Sequence, residues 1–260
     1  MAKTSGHKAA ARMRVSDDPS RERLLLYDEI VREISSFGGE LQGWFGDYAR
    51  QQRNRIACDL DIIGRFLARD QRILELGSMP FLTTIALRRL GYDVRGVDIH
   101  PERFKKTIEG SGITVDECDI ERKALPYEDR TFDSVLFFEI FEHLRINPVF
   151  TLSEAYRVLK PGGSFLLTTP NLKSLAGMYD LLVRDRTGAD PFKEYGKLEE
   201  IGHMGHVRLY TAAEVASLLE NIGFKVSGVF FRGRYNSKMM RMITGFAPSL
   251  KPMIMVSASK

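Results

Sequence analysis

The residues best placed to do chemistry are Gly77 and Asp98. Gly77 interrupts the apolar run Ile73, Leu74 and Leu76, and Asp98 closes a second short run about twenty residues later. A glycine turn ahead of a helix offers free backbone N–H groups to a ligand. An acid at that distance can accept both hydroxyls of a ribose. The pair points to a nucleoside-containing cofactor. Any strand–helix crossover with a glycine in its loop gives the same pattern.

The loop narrows the choice of cofactor. A dinucleotide fingerprint wants three glycines here, whereas Gly77 is followed by Met79 and Phe81. Side chains at those positions crowd a pyrophosphate. That argues against NAD or FAD and for S-adenosylmethionine, which has no pyrophosphate. An NAD(P)-dependent oxidoreductase on a similar sheet stays open as an alternative.

A second group follows the apolar stretch Phe132 to Ile140, where Glu139, Glu142 and His143 stand. Histidine titrates near neutrality and can take a proton from a nucleophile, or it can simply cap the next helix. Tyr195, His203, His206 and Arg208 fall in a long charged stretch further on. His203 and His206 could join Glu142 or His143 around a metal. Packing of the segment and hydrogen bonds to a substrate are the preferred reading, and no metal is assigned. Asn171 either faces a substrate or forms a turn. Arg184, Arg186, Arg232 and Arg234 can meet an acidic substrate or serve as ordinary surface cations. Arg50, Arg53 and Arg55 read as a solvated helix face in preference to cations reaching an anionic group in a cleft.

Alternating elements must position these groups. Ile73 to Leu76 reads as a strand buried on both faces. Pro80 suits the first turn of a helix carrying Ile85, Ala86, Leu87 and Leu90. Asp93 to Ile99 is a second strand, and a helix starts at Pro101. Ile113 to Asp119 is a third strand and Phe132 to Ile140 a fourth. A helix runs from Asn147 to Leu159, and Lys160 to Gly163 makes a turn. Ser164 to Thr169 is a fifth strand. Leu172 to Arg208 breaks the rhythm, with one short helix, Leu175 to Val183, inside a charged loop; such a segment is usually a lid. Thr211 and Glu214 form a capping box for a helix ending at Gly223. Phe224 to Phe231 and Met253 to Ala258 are the last strands, separated by irregular basic chain. Ahead of all this, Arg21 to Phe37 and about Asp47 to Ala68 read as amphipathic helices. The expected fold is α/β, a Rossmann-like doubly wound, seven-stranded, mostly parallel sheet with an antiparallel last strand. The expected divisions are a disordered basic tail over 1–20, a helical cap over 21–68 and a catalytic domain over 69–260 with its lid at 171–210.

Composition bounds the class. At 260 residues and 43% hydrophobic content the chain can bury a full core. A net charge of +4 is too mild for a dedicated nucleic-acid binder. Cys58 and Cys118 show no metal-ligand spacing, so a reducing, cytoplasmic setting is expected. No apolar h-region precedes Asp17 and Asp18, so no secretory signal is expected, and no run is long enough to span a membrane.

Taken in order, Ile73-Leu74-Glu75-Leu76-Gly77, Val97-Asp98-Ile99, Asp119-Ile120, Phe132 to Val135, Glu139 to Leu144, Leu159 to Gly163 and Thr169-Pro170-Asn171 resemble the class I S-adenosylmethionine-dependent methyltransferases over roughly residues 45–258. The likeness is closest to the small-molecule branch with the ubiquinone-type O-methyltransferases and the glycan-associated enzymes. It implies S-adenosylmethionine as cofactor, held by the first motif with Glu75, Gly77, Ser78 and Met79. It places Asp98 on the ribose hydroxyls, Ile99 against adenine, Asp119 on the adenine amino group with Ile120 beside the ring, and Glu139 near the amino acid end. It makes His143 a candidate general base, and Asn171, Tyr195, His203, His206 and Arg208 candidate substrate contacts. The implied activity is O-methylation of a small acceptor, a sugar or glycan precursor or a secondary metabolite, acidic or glycan-linked. A catalytically inactive scaffold is the alternative that Met79 and Phe81 motivate. Relatives that methylate amino groups of nucleic-acid bases carry an Asn/Asp-Pro-Pro-aromatic motif where this chain has Glu139-Ile140-Phe141-Glu142, so nucleic acid is not expected as a partner. The oligomeric state is left open.

Overall fold

A computed structural model of the chain describes residues 16–38, 41–187, 190–201 and 205–260. Most of the tail expected over 1–20, and His203, lie outside the described residues. The described chain divides into two compact units, one of residues 16–136 with 157–164 and one of 137–156 with 165–260.

The first unit begins with α1 (Arg21–Phe37), whose Ser20 cap accepts from the Arg23 N–H. The apolar spacing of Tyr27, Ile30 and Ile34 buries one face, and α2 (Gln42–Phe66) packs against it. Arg53 is not merely solvated. It makes a two-pronged pair with Asp28 on α1, while Arg55 pairs with the buried Asp59 at 3.2 Å. Then come β1 (Arg72–Leu76), α3 (Leu82–Arg89), β2 (Asp93–Asp98), the short α4 (Lys105–Ser111), β3 (Val115–Glu117) and most of β4 (Phe132–Phe138). The second unit holds most of α5 (Pro148–Val158), the end of β5 (Leu159–Pro170), α6 (Leu175–Val183), α7 (Pro191–Ile201), α8 (Ala212–Ile222), β6 (Lys225–Arg232), α9 (Lys238–Phe246) and β7 (Met253–Ser259).

The strands form one seven-stranded sheet in the order β3-β2-β1-β4-β5-β7-β6. β1 runs parallel to β2 and to β4, and β2 runs parallel to β3; β7 is antiparallel to β6. This is the expected doubly wound arrangement. The strand order reverses between β1 and β4, the place where such sheets bind ligands beyond their carboxyl ends. Pairing of Leu76 with Val97 sets the ends of β1 and β2 side by side, which brings Gly77 next to Asp98.

Several boundaries differ from the sequence reading, each for a local reason. Pro80 is not in the first turn of α3. Phe81 takes a left-handed conformation (φ 69°), buries its ring completely against Phe104, and delays the helix to Leu82. β4 stops at Phe138 because Glu139 adopts φ 56°, which few side chains tolerate in a strand. The expected turn at Lys160 to Gly163 lies inside β5, with Gly162 supplying the bend at φ 78°. α7 and α9 replace what reads as irregular chain. The apolar stripe of α9 points outward, so its helical spacing carries no matching core signal. The capping box at Thr211 and Glu214 is present as expected.

Candidate active site

In the first unit the groups read as a cofactor site converge on the ends of β1, β2 and β3. Gly77 turns with φ 69°, and the loop it opens lies tight on β2: a Cβ added to Gly96 would stand 2.6 Å from the Ser78 Oγ. The loop's N–H groups are not offered to a ligand. Those of Gly77 and Ser78 both donate to the Val97 carbonyl, at 2.9 and 3.1 Å, and that of Met79 donates to Asp98 Oδ2 at 2.9 Å. A phosphate cradle needs such donors. Their commitment excludes a dinucleotide from this loop more firmly than the side chains of Met79 and Phe81 do. Phe81, buried in the core, blocks nothing.

Asp98 is 7% exposed, and burial raises its pKa against the bonds from the Met79, His100 and Ile99 N–H groups. Oδ1 accepts from Ile99 at 2.9 Å, as Oδ2 does from Met79. Each carboxylate oxygen has a second lone pair. Oδ1 also takes the His100 N–H at 3.5 Å, so the lone pair left for a ribose hydroxyl in a fixed orientation is on Oδ2. Ile99 is exposed beside it, suited to an aromatic ring face. Asp119, after β3, accepts the Glu121 N–H at 3.1 Å and is half-buried, with Ile120 next to it. These residues fit a nucleoside without a pyrophosphate.

Glu75 sits elsewhere than the resemblance implies. Its carboxyl is buried against α3 and accepts from the Thr84 hydroxyl. Burial pushes its pKa up to about 8, opposed by the Thr84 and Thr83 hydroxyls. It ties β1 to α3 behind the loop. The folded chain thus keeps a proton there up to about pH 8, which the unfolded chain releases near 4.5. The stabilising contribution is complete below 4.5 and is lost as pH rises through 8. Glu75→Gln, neutral throughout, is expected to melt about 5 °C above wild type at pH 9 and near it at pH 5, the shift that ~2 kcal/mol gives in a chain of this size. Thermal melts at both pH values check this.

The second unit gathers the acid–histidine group. Glu139 is held by β5, its Oε1 accepting from the Thr168 hydroxyl at 2.8 Å and its N–H donating to the Thr168 carbonyl at 3.0 Å. Glu142 is completely buried and accepts from the Thr169 hydroxyl at 2.9 Å. His143 Nδ1 lies 3.0 Å from the Gly205 carbonyl. A carbonyl only accepts, so Nδ1 carries the proton and Nε2 presents the lone pair. His206 Nε2 lies 3.8 Å from Glu142 Oε1, and its ring stands edge-on to His143. Burial and the neighbouring His143 hold the His206 pKa down, to about 4. The Val207 and Arg208 N–H groups donate to the Glu142 carbonyl at 2.8 and 3.3 Å. Residues 205–208 are thus docked on 142–143.

One ligand atom from each of Glu142, His143 and His206 lies within 4.8 Å of the others. A carboxylate with two imidazoles is a donor set for a divalent cation. His143 Nδ1 and Glu142 Oε2 also hold the segment and β5, through the Gly205 carbonyl and the Thr169 hydroxyl.

The other substrate candidates disperse. Asn171 is buried, its amide donating to the Ser249 and Lys251 carbonyls at 2.9 Å each and its Oδ1 accepting from Lys173. Its carbonyl also accepts from Ser174, so it forms the turn that is its other reading, and its amide ties that turn to the chain ahead of β7. Arg208 stacks on Tyr210 and pairs with Glu214 at 2.6 Å, locking the start of α8. Tyr195 is exposed on α7. Arg184 pairs with Asp180 and stacks on Tyr179, and Arg232 is buried.

Four contributors escaped the sequence reading. Thr168 and Thr169 had a signal, two hydroxyls ending an apolar strand. Glu194 and Gly205 had none. Glu194 is buried, pairs with Lys197 at 2.7 Å, and lies where a Gly205 side chain would go. Gly205→Ala is expected to displace Glu194 and pull the segment off His143. Turnover should fall about tenfold, as a small misplacement near a reacting group costs. Cofactor affinity, measured by calorimetry, should not change.

A family model for a methyltransferase domain matches residues 48–228. A Mycolicibacterium smegmatis protein named "Probable S-adenosylmethionine-dependent methyltransferase" is 38% identical over 109 residues, 41% of this chain and 35% of that protein. A ubiquinone biosynthesis O-methyltransferase of Cereibacter sphaeroides is 33% identical over 130 residues, 48% of this chain and 51% of that protein. The chain spans about a third and about half of the length of these two relatives. A solved SAM dependent methyltransferase from Archaeoglobus fulgidus shares the fold, with a TM-score of 0.56 at 20% identity over 78% of this chain and 91% of that one. With the family model covering well over half its length, the chain belongs to the class I S-adenosylmethionine-dependent methyltransferases.

Proposed function

We propose that the chain transfers a methyl group to a hydroxyl oxygen of a small acceptor, with His143 as general base. The observation that carries this is the His143 Nδ1 contact with the Gly205 carbonyl, which leaves the Nε2 lone pair as the proton acceptor. The name of the Cereibacter relative, an O-methyltransferase, supports oxygen as the acceptor atom.

When bound, the cofactor supplies an electrophilic methyl group on a sulfonium whose departure leaves a neutral thioether. The chain's own residues do the rest. Asp98 holds the ribose, Ile99 and Ile120 flank the base, and Asp119 takes the adenine amino group. Gly77, Ser78 and Met79 form the floor at the methionine end, and Glu139, fixed by Thr168, meets the amino acid end. His143 Nε2 takes the proton as the acceptor oxygen forms its new bond to carbon. The ring is then a cation, with Nδ1–H still on the Gly205 carbonyl and the Glu142 carboxyl near His206. His206, edge-on to His143, lines the acceptor's approach. A sugar hydroxyl of a glycan precursor, or a hydroxyl of a secondary metabolite, fits this chemistry. The test is incubation with deuteromethyl-labelled S-adenosylmethionine and acceptors bearing phenol, catechol, sugar hydroxyl or amine groups, read by mass spectrometry.

A further inference from the structure

We propose that α9 is an interfacial helix that seats this chain on anionic lipid bilayers. This goes beyond the methyl-transfer reading and does not depend on it.

The observation is a helix turned inside out. In Lys238–Phe246, Met239, Met242 and Phe246 fall on one side of the helix at helical spacing. They are 63%, 62% and 88% exposed, while Thr244 on the opposite side is buried. Large apolar side chains scattered singly over a surface are ordinary; a stripe on one short helix marks a binding face. Lys238, exposed, borders the stripe, and Arg241, half-exposed, stands one step further round the same helix.

Charge selects the occupant. Between Arg232 and Met253, the end of the β6–β7 ladder from which α9 extends, stand Arg234, Lys238, Arg241 and Lys251, and residues 221–260 contain no aspartate or glutamate. A protein partner binding through a Met and Phe stripe does not require that bias. A bilayer with anionic headgroups does: apolar side chains enter the acyl boundary while lysine and arginine meet the phosphates. The helix is anchored for such use from behind. The Tyr235 hydroxyl donates to the Leu250 carbonyl at 3.2 Å, which closes the loop on both sides of α9. No helix among the described residues is long and apolar enough to cross a membrane, so the attachment is one of surface contact.

The experiment is co-sedimentation of the full chain with vesicles of phosphatidylcholine alone and of phosphatidylcholine with about a third phosphatidylglycerol. Each cation near such a surface contributes about fivefold. Wild type is expected to bind the anionic vesicles at least tenfold more tightly, and less so as salt is raised. Met242→Glu with Phe246→Glu should abolish sedimentation while leaving the melting temperature and S-adenosylhomocysteine affinity unchanged. Lys238→Gln with Arg241→Gln should remove the preference for anionic lipid. Leu25→Glu, an exposed apolar position on α1, should bind as wild type. Wild type staying in the supernatant with both vesicle types would overturn the proposal. So would equal binding by Met242→Glu/Phe246→Glu, or a concentration-dependent dimer that this variant dissolves in the absence of vesicle binding.

Discussion

Asp98→Ala is expected to weaken S-adenosylmethionine binding by more than about a hundredfold, the largest effect on cofactor affinity of any single substitution in the chain. Two losses combine. The ribose loses a charged acceptor, and hydrogen bonds to charged groups are worth about 1.5–3 kcal/mol each. The loop also loses its clamp, because the Met79 and Ile99 N–H groups both end on this carboxylate. Asp98→Asn separates the two. One amide oxygen still accepts, so part of the clamp survives, but the second oxygen becomes a donor facing donors. An intermediate loss of about tenfold to a hundredfold is expected, with a melting temperature closer to wild type than that of the alanine variant. Calorimetric titration with S-adenosylmethionine and S-adenosylhomocysteine on all three proteins checks this. Equal affinity for wild type and Asp98→Ala would remove the ribose role.

His143→Ala is expected to lower kcat by about a hundredfold to ten-thousandfold, the usual contribution of a positioned base. Cofactor affinity should hold, since nothing in the reading gives His143 a bond to the cofactor. His143→Gln is the sharper probe. Its amide can still donate to the Gly205 carbonyl and keep residues 205–208 docked, but it cannot carry a proton away. If His143 merely packs the segment, glutamine restores activity that alanine loses. If it is the base, both variants are slow and both lose the low-pH limb of the kcat profile. Rates from pH 5 to 9 with a hydroxyl acceptor decide between these outcomes.

How far the sequence revealed this depends on the distance over which each group finds its partners. Gly77 and Asp98 are legible because one strand–helix–strand unit fixes both, and β1–β2 pairing then sets them side by side. The identities of the strands follow from short apolar runs bounded by glycine and proline. Of the two readings of Asn171 the turn is legible, since its Oδ1 accepts from Lys173 two residues on, whereas its amide's partners, the Ser249 and Lys251 carbonyls, lie about eighty residues away in a stretch with no pattern of its own. Glu75 is misread for the opposite reason. Its position in the motif is right, but a strand's alternation sends its side chain to α3 and the hydroxyl of Thr84. The supposed free N–H groups of the glycine loop are turned inward by Val97, a backbone contact no residue type announces. His206 is foreseeable as a neighbour of Glu142 and His143, whereas Glu194 filling the space above Gly205 is not. The helices α7 and α9 escape because Phe192 and Tyr195 on the first and Met239, Met242 and Phe246 on the second face outward rather than into a core.

The measurement that bears most directly on the account is product analysis after reaction with deuteromethyl-labelled S-adenosylmethionine and the hydroxyl and amine acceptors, run on wild type and His143→Gln. The account predicts label on oxygen with wild type and at least a hundredfold less with the variant. Label on nitrogen or carbon, or an undiminished rate in His143→Gln, would contradict it.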